Sequence, residues 1–293
     1  MTRPTRMSAF LQAVRPKTLG AAAAPVFVGG AMAVEVDRFV LLPFLAAFLG
    51  AMLLQIAANF ANDYFDFKKG ADTETRLGPP RATQQGWVTP KTMRRWVLFT
   101  FVILGPVAGY LVWVGGWPVI AIGFLSVAGA VFYTGGETPL GYRGLGDVMV
   151  LVFFGPIAVL GTAWVQGCAP TILGGVASLG PGFLSTAILI VNNQRDRHQD
   201  VLVGKKTLAV RFGSTFSEME YLACHGLAFA VPVAMWLLGA PAFVLGTLLV
   251  APFSLQLCRQ FLRNDGIALN PLLGATARQL MLYSVVLAVT WSS

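Results

Sequence analysis

The sequence predicts an all-α, polytopic membrane protein with nine transmembrane helices around a central cavity. Composition is the first observation: 56% of the 293 residues are hydrophobic and only 12% are charged. A soluble chain of this length exposes far more charge, and the mean hydropathy here is strongly positive. Second, the apolar residues gather into runs long enough to cross about 30 Å of hydrocarbon as helices. Third, the basic residues concentrate in alternate loops, as expected when Lys and Arg set membrane orientation.

The runs fall at 18–35, 39–62, 96–114, 117–133, 147–166, 172–192, 217–238, 241–257 and 275–291. Pro25, Pro106, Pro156, Pro181 and Pro232 lie within them, as membrane helices tolerate. With the N-terminus inside, the basic loops 63–95, 134–146, 193–216 and 258–274 are cytoplasmic and only Arg38 falls outside. Nine spans then put the C-terminus on the outer side. Residues 1–293 read as one membrane domain, and the segment before Ala21 reads as no cleaved signal peptide.

Cys168, Cys224 and Cys258 are odd in number and lie in or beside apolar runs, which suits small buried hydrophobes. The chain carries 21 Lys and Arg against 13 Asp and Glu. In so apolar a sequence that excess points to membrane orientation and an anionic substrate, with no nucleic-acid partner.

Two polar clusters end apolar runs. In Asn192-Asn193-Gln194-Arg195-Asp196-Arg197-His198-Gln199-Asp200, the residues Asn192, Asp196 and Asp200 recur every four positions and share a helix face. Earlier, Asn59-Phe60-Ala61-Asn62-Asp63-Tyr64-Phe65-Asp66 also opens with Asn-x-x-x-Asp, and Asp63 and Asp66 share a face. Asp72 follows after Lys68, Lys69 and Gly70. Spans two and six run in the same direction, so both clusters reach the cytoplasmic end, hinting at a duplication with a period of four helices.

Carboxylates and amide oxygens are the donors that Mg²⁺ takes when it bridges a protein to phosphates. Asp63, Asp66, Asp196 and Asp200 would repel one another and a diphosphate unless cations stood between them. With Mg²⁺ present they become a clamp on a departing diphosphate, and the apolar helices beneath keep an allylic carbocation away from water. Lys68, Lys69, Lys205, Lys206, Arg76, Arg81 and Arg195 can touch phosphate directly. The plainer alternative is solvated acids at helix ends and basic pairs that only set topology. A third group, Tyr133-Thr134-Gly135-Gly136 and Pro139-Leu140-Gly141-Tyr142-Arg143-Gly144, reads equally as a ligand contact or a tight turn.

The two clusters resemble the paired motifs of the UbiA superfamily of intramembrane prenyltransferases. Arg15-Pro16-Lys17-Thr18-Leu19, Asn62-Asp63-Tyr64 with Lys69-Gly70-x-Asp72, and Gly78-Pro79-Pro80-Arg81 narrow the resemblance to its 1,4-dihydroxy-2-naphthoate polyprenyltransferase type. Tyr142-Arg143-Gly144-Leu145-Gly146 and Gly204-Lys205-Lys206-Thr207-Leu208-Ala209-Val210-Arg211 extend it. It runs from about residue 15 to 213. Asp147 stands where Glu is expected after Leu145-Gly146, and His198-Gln199 replaces the expected Thr before Asp200.

This resemblance implies Mg²⁺-dependent ionisation of a polyprenyl diphosphate in a bacterial cytoplasmic membrane. An aromatic acceptor, 1,4-dihydroxy-2-naphthoate, is then prenylated with loss of its carboxylate, giving demethylmenaquinone. Asp63, Asp66, Asp196 and Asp200, with Asn59 and Asn192, are the expected metal and diphosphate residues. Asn62, Asp72 and Arg81 assist the first cluster. Lys17, Lys69, Tyr133, Tyr142, Arg143 and Lys205 are expected at the diphosphate or the acceptor, with Arg143 facing the acceptor's carboxylate. Rival readings are a related transferase with a phytyl donor or homogentisate acceptor, and a transporter. A transporter lines its path with polar groups near the midplane, whereas the ionisable residues here gather at one face.

Overall fold

The computed structural model describes residues 4–71 and 76–292; Asp72 lies outside the described residues. Ten helices follow in order: α1 (Arg6–Val14), α2 (Pro16–Glu35), α3 (Leu41–Lys68), α4 (Pro90–Gly115) and α5 (Trp117–Phe132). Then come α6 (Gly146–Val165), α7 (Ile172–Leu202), α8 (Leu208–Leu237), α9 (Ala242–Arg263) and α10 (Gly266–Trp291). Among the described residues, eight are long and apolar enough to cross a membrane. The shorter apolar α5, at 16 residues or about 24 Å, lies where the fourth of the nine spans was expected. Residues 6–14, which precede the first expected span, form α1, whose Ala9, Ala13 and Val14 are buried against Phe60 and Met93.

Two helices overrun their expected ends. Helix α3 continues six residues beyond 62, and α7 continues ten beyond 192. At 28 and 31 residues they are about 42 and 46 Å long, so each projects past the hydrocarbon. The acidic clusters therefore ride on helix rather than loop, and helical periodicity governs where their side chains point.

Small residues let these helices approach closely, the usual means of packing where lipid is as apolar as Leu. A Cβ on Gly29 of α2 would strike the Val159 carbonyl and Thr162 of α6. Helix α6 is broken by a wide turn at Phe153–Ile157, where Gly155 leaves helical geometry (φ −107°, ψ −105°) ahead of Pro156. There α6 sits so near α7 that a Cβ on Gly155 would lie 3.2 Å from Gly182 Cα. In the C-terminal half, α8 to α10 are joined by Tyr221–Thr276 and His225–Ser254 hydrogen bonds and by Tyr283 donating to the Ala228 carbonyl. Trp113 and Trp117, 81% and 77% exposed at the α4–α5 hairpin, suit the membrane interface.

What this packing leaves open is a cavity of about 1190 Å³ running down from the α1 end of the bundle. Ala47, Gly50 and Ala51 of α3, Gly123 of α5, and Ala158 and Gly161 of α6 keep its bore wide. Leu111, Val119, Val165 and Phe153 make the lower walls apolar.

Candidate active site

All the strongly polar cavity-lining residues gather at one mouth. On α3 the lining positions are 47, 50, 51, 54, 55, 58, 62 and 66; on α7 they include 185, 188, 189, 192, 193, 196 and 200. Each set follows the three-to-four spacing of one helix face. Asn62 and Asp66 thus confront Asn192, Asp196 and Asp200 across the mouth. Both helices present Asn-x-x-x-Asp to the same space.

This alters the expected register on α3. Asn59 and Asp63 were expected among the metal-binding residues, but neither lines the cavity. Asn59 is buried and donates to the Val14 carbonyl at 2.9 Å and Thr18 Oγ1 at 3.1 Å, tying α3 to α1 and α2. Asp63 is buried and accepts the backbone N–H groups of Ala82 at 3.0 Å and Thr83 at 3.1 Å. The physical reason is the 3.6-residue repeat. Asn59 and Asp63 form a stripe beside the Asn62 and Asp66 stripe, and α1 with the loop after α3 cover that neighbouring stripe.

Asp66 is the hub. Its Oδ2 meets Arg81 Nη2 at 2.9 Å and its Oδ1 accepts the Tyr142 hydroxyl at 2.8 Å. Lys205 Nζ stands between the clusters, 3.9 Å from Asp66 and 3.6 Å from Asp200. Lys69 and Lys205 both lie over the Tyr142 ring, at 5.1 and 4.9 Å, in cation–π range. Burial pulls the Lys69 ammonium below its ordinary range, opposed by Asp66 and reinforced by Lys205. Lys69 donates to the Thr134 carbonyl at 2.7 Å, and Thr134 Oγ1 donates to Asn62 at 2.8 Å.

On α7, Arg195 is 1% exposed. Its guanidinium grips both oxygens of Asp196, donates to Asn192 Oδ1 at 2.7 Å, and reaches Asn270 of α10 at 3.1 Å. Asn270 in turn donates to the Leu77 carbonyl at 2.8 Å, and Gln199 accepts from the Leu77 N–H at 3.3 Å. The loop after α3 is thereby pinned across the mouth. A planar, always-charged fork suits this bidentate role.

The remaining expected residues divide. Lys17, Arg81, Tyr133, Tyr142, Asn192 and Lys205 line the cavity. Lys69 stands just behind Tyr142. Arg143 does not line the cavity: its side chain is exposed, and its carbonyl accepts from Arg211 at 2.7 Å. Two participants had no role of their own assigned from the sequence. Thr134 carries a short side chain in a turn-like stretch, and Asn270 lies where the sequence resemblance thins. The one available signal for Asn270 was an amide followed by Pro at a helix start.

The mouth offers Arg15, Lys17, Arg76, Arg81, Arg195 and Lys205 against Asp66, Asp196 and Asp200. Six cationic groups to three anionic ones make a site for a highly charged anion, above a long apolar chamber. Among the described residues no three His, Cys, Asp or Glu side chains converge as a preformed metal site. The acids facing the mouth are instead held by Arg81, Lys205 and Arg195. The donors available there, carboxylate and amide oxygens, are those that hard divalent cations take.

Fold and site together define a membrane-embedded chamber with a cationic mouth, shaped for an anionic molecule with a long apolar tail. The chain belongs to the UbiA prenyltransferase family, whose model matches residues 22–285. It is 36% identical to the 1,4-dihydroxy-2-naphthoate octaprenyltransferase of Escherichia coli (strain K12) over 96% of this chain and 94% of that protein. It is 35% identical to the enzyme of that name from Mycobacterium tuberculosis (strain H37Rv), over 96% of this chain and 97% of that one. Among solved structures, the fold is similar to an apo UbiA homolog from Aeropyrum pernix K1, with TM-score 0.72 and 14% identity over 92% of this chain and 97% of that chain. A UbiA homolog from Archaeoglobus fulgidus bound to DMAPP and Mg²⁺ gives TM-score 0.66 at 11% identity, over 96% and 99% of the two chains.

Proposed function

We propose that this protein transfers a polyprenyl group from polyprenyl diphosphate to 1,4-dihydroxy-2-naphthoate, with loss of the carboxylate, to form the hydroquinone demethylmenaquinol, whose separate two-electron oxidation gives demethylmenaquinone. The observation that carries the reading is the pair of Asn-x-x-x-Asp faces, Asn62 with Asp66 and Asn192 with Asp196, at the cationic mouth of an apolar cavity of about 1190 Å³. Relatives named for the naphthoate reaction, similar along nearly the whole chain, support the choice of acceptor.

The proposed chemistry follows from the lining. Arg81, Lys205, Arg76 and Lys17 bind the diphosphate, and the apolar chamber takes the prenyl tail. Asn62, Asp66, Asn192, Asp196 and Asp200 would hold Mg²⁺, and the Mg²⁺-bound homolog from Archaeoglobus fulgidus supports divalent metal use in the family. A bound divalent cation supplies charge neutralisation to the leaving diphosphate. The allylic carbon–oxygen bond breaks with its electron pair on the diphosphate, and an acceptor ring carbon forms the new carbon–carbon bond. The carboxylate departs as carbon dioxide. Close-packed apolar side chains exclude water from the cation.

In this reading the mouth faces the cytoplasm of a bacterial inner membrane, with the N-terminus on that side and the C-terminus opposite. Purified protein should prenylate the naphthoate with release of one carbon dioxide per product. Prenylation of 4-hydroxybenzoate or homogentisate instead would refute the acceptor and keep the transferase.

A further inference from the structure

The glycine-rich segment after α5 has a defined task. Tyr133, which lines the chamber next to Asn62's partner Thr134, is enclosed by it from two sides. A Cβ on Gly141 would stand 3.0 Å from Tyr133 Cε1 and Cζ, and a Cβ on Gly146 would stand 3.0 Å from its hydroxyl. Gly141 N–H also donates to the Tyr133 carbonyl at 3.0 Å. The two glycines thus form a slot that holds the phenol ring at the chamber wall.

Asp147 follows directly on that slot, in the first turn of α6. It is 5% exposed, and neither carboxyl oxygen has a hydrogen-bond partner. The positive end of α6 favours a charge there but leaves both oxygens without a donor. The Tyr133 hydroxyl makes no hydrogen bond among the described residues and stands 3.0 Å from where a Cβ on Gly146, the residue before Asp147, would lie; burial first, and then the Asp147, Asp66 and Asp200 carboxylates, push its ionisation up. A buried carboxylate without a donor bears the cost of its lost bonds, and the Tyr133 phenol, packed against the preceding residue Gly146, is the donor the fold brings to that stretch. A buried intramembrane acid with no structural partner is a functional residue by default.

We propose that Asp147 is a positioning residue for Tyr133: when substrate fills the chamber it accepts the Tyr133 hydroxyl hydrogen bond. That bond fixes the ring in its glycine slot and enriches its π face, which stabilises the allylic cation. The inference rests on the prenyl-transfer reading. Asp147 itself touches no substrate.

The test is turnover, together with acceptor-free solvolysis of geranylgeranyl diphosphate, for wild type, Asp147→Asn, Tyr133→Phe and the double variant of the full chain. Each single change should lower both rates about ten-fold, as loss of one tuned cation–π contact would. The KM values for both substrates should hold within about two-fold. The double variant should be no slower than the slower single one, and Asp147→Glu should recover part of the rate. Asp147→Asn at wild-type rate, or losses that multiply in the double variant, overturns the proposal. If Asp147→Asn does not accumulate, Tyr133→Phe decides alone: a full rate overturns the hydroxyl's role. A wild-type protein that neither transfers nor solvolyses the diphosphate in Mg²⁺ overturns the transferase reading itself.

Discussion

Replacing Asp63 by Asn separates the two stripes of α3. Asp63 is 1% exposed and its two oxygens accept two backbone N–H groups, from Ala82 and Thr83. Asn keeps one acceptor oxygen, so one N–H retains a partner through a weaker, neutral bond. The other N–H then faces an amide NH₂ and is left buried without an acceptor. A lost charge-assisted bond plus an orphaned donor is worth about 3 kcal/mol. That corresponds to a fall in Tm of about 5 °C for a chain of this size. Below that transition, folded Asp63→Asn protein should turn over within about three-fold of wild type, since the residue faces away from the chamber. Asp66→Asn should do the reverse. It keeps an acceptor for Tyr142 but removes the charge paired with Arg81, and turnover should fall by 100-fold or more, as for removal of a transition-state electrostatic group. Thermal unfolding in detergent and single-turnover rates on the same preparations measure both. An Asp63→Asn variant with unchanged Tm and lost turnover would refute the assignment of the two faces.

Two further outcomes follow from the same geometry. A Cβ on Gly78 would stand 2.6 Å from Arg195 Nη2, so Gly78→Ala should displace the guanidinium from Asp196 and lower turnover about ten-fold, as Arg195→Lys should by losing the planar fork; unchanged kinetics in both would remove Arg195 from the site. Arg143→Ala should leave the KM for the naphthoate within about two-fold of wild type, because the exposed side chain lies off the cavity; a large selective rise would return Arg143 to the acceptor.

The class of fold was plain in the sequence because apolar run length and loop charge answer directly to bilayer thickness and orientation. Helix ends were less plain. The polar stretch 193–202 looks like loop, yet it continues α7, with Arg195 paired to Asp196 and Lys205 to Asp200 inside the mouth. On α7 the four-residue spacing of Asn192, Asp196 and Asp200 matches the face that lines the cavity. On α3 two overlapping Asn-x-x-x-Asp patterns were present, Asn59 with Asp63 and Asn62 with Asp66. Spacing alone could not choose between them. The choice is made by α1 and the Ala82–Thr83 turn, long-range partners that cover one stripe. Asn270 was beyond reach for the same reason: its worth lies in contacts with Arg195 and Leu77, distant in the chain.

In the proposed mechanism Asp66 on α3 and Asp200 on α7 serve one metal-dependent diphosphate site. Calorimetric titration of geranylgeranyl diphosphate into wild type, Asp66→Asn, Asp200→Asn and the double variant tests it most directly, each with Mg²⁺ and with chelator. Wild type should bind only with Mg²⁺. Each single variant should bind at least ten-fold more weakly, and the double variant little worse than either, as neighbours sharing one ligand do. Wild-type affinity in either single variant, or binding unaffected by chelator, would contradict the claim.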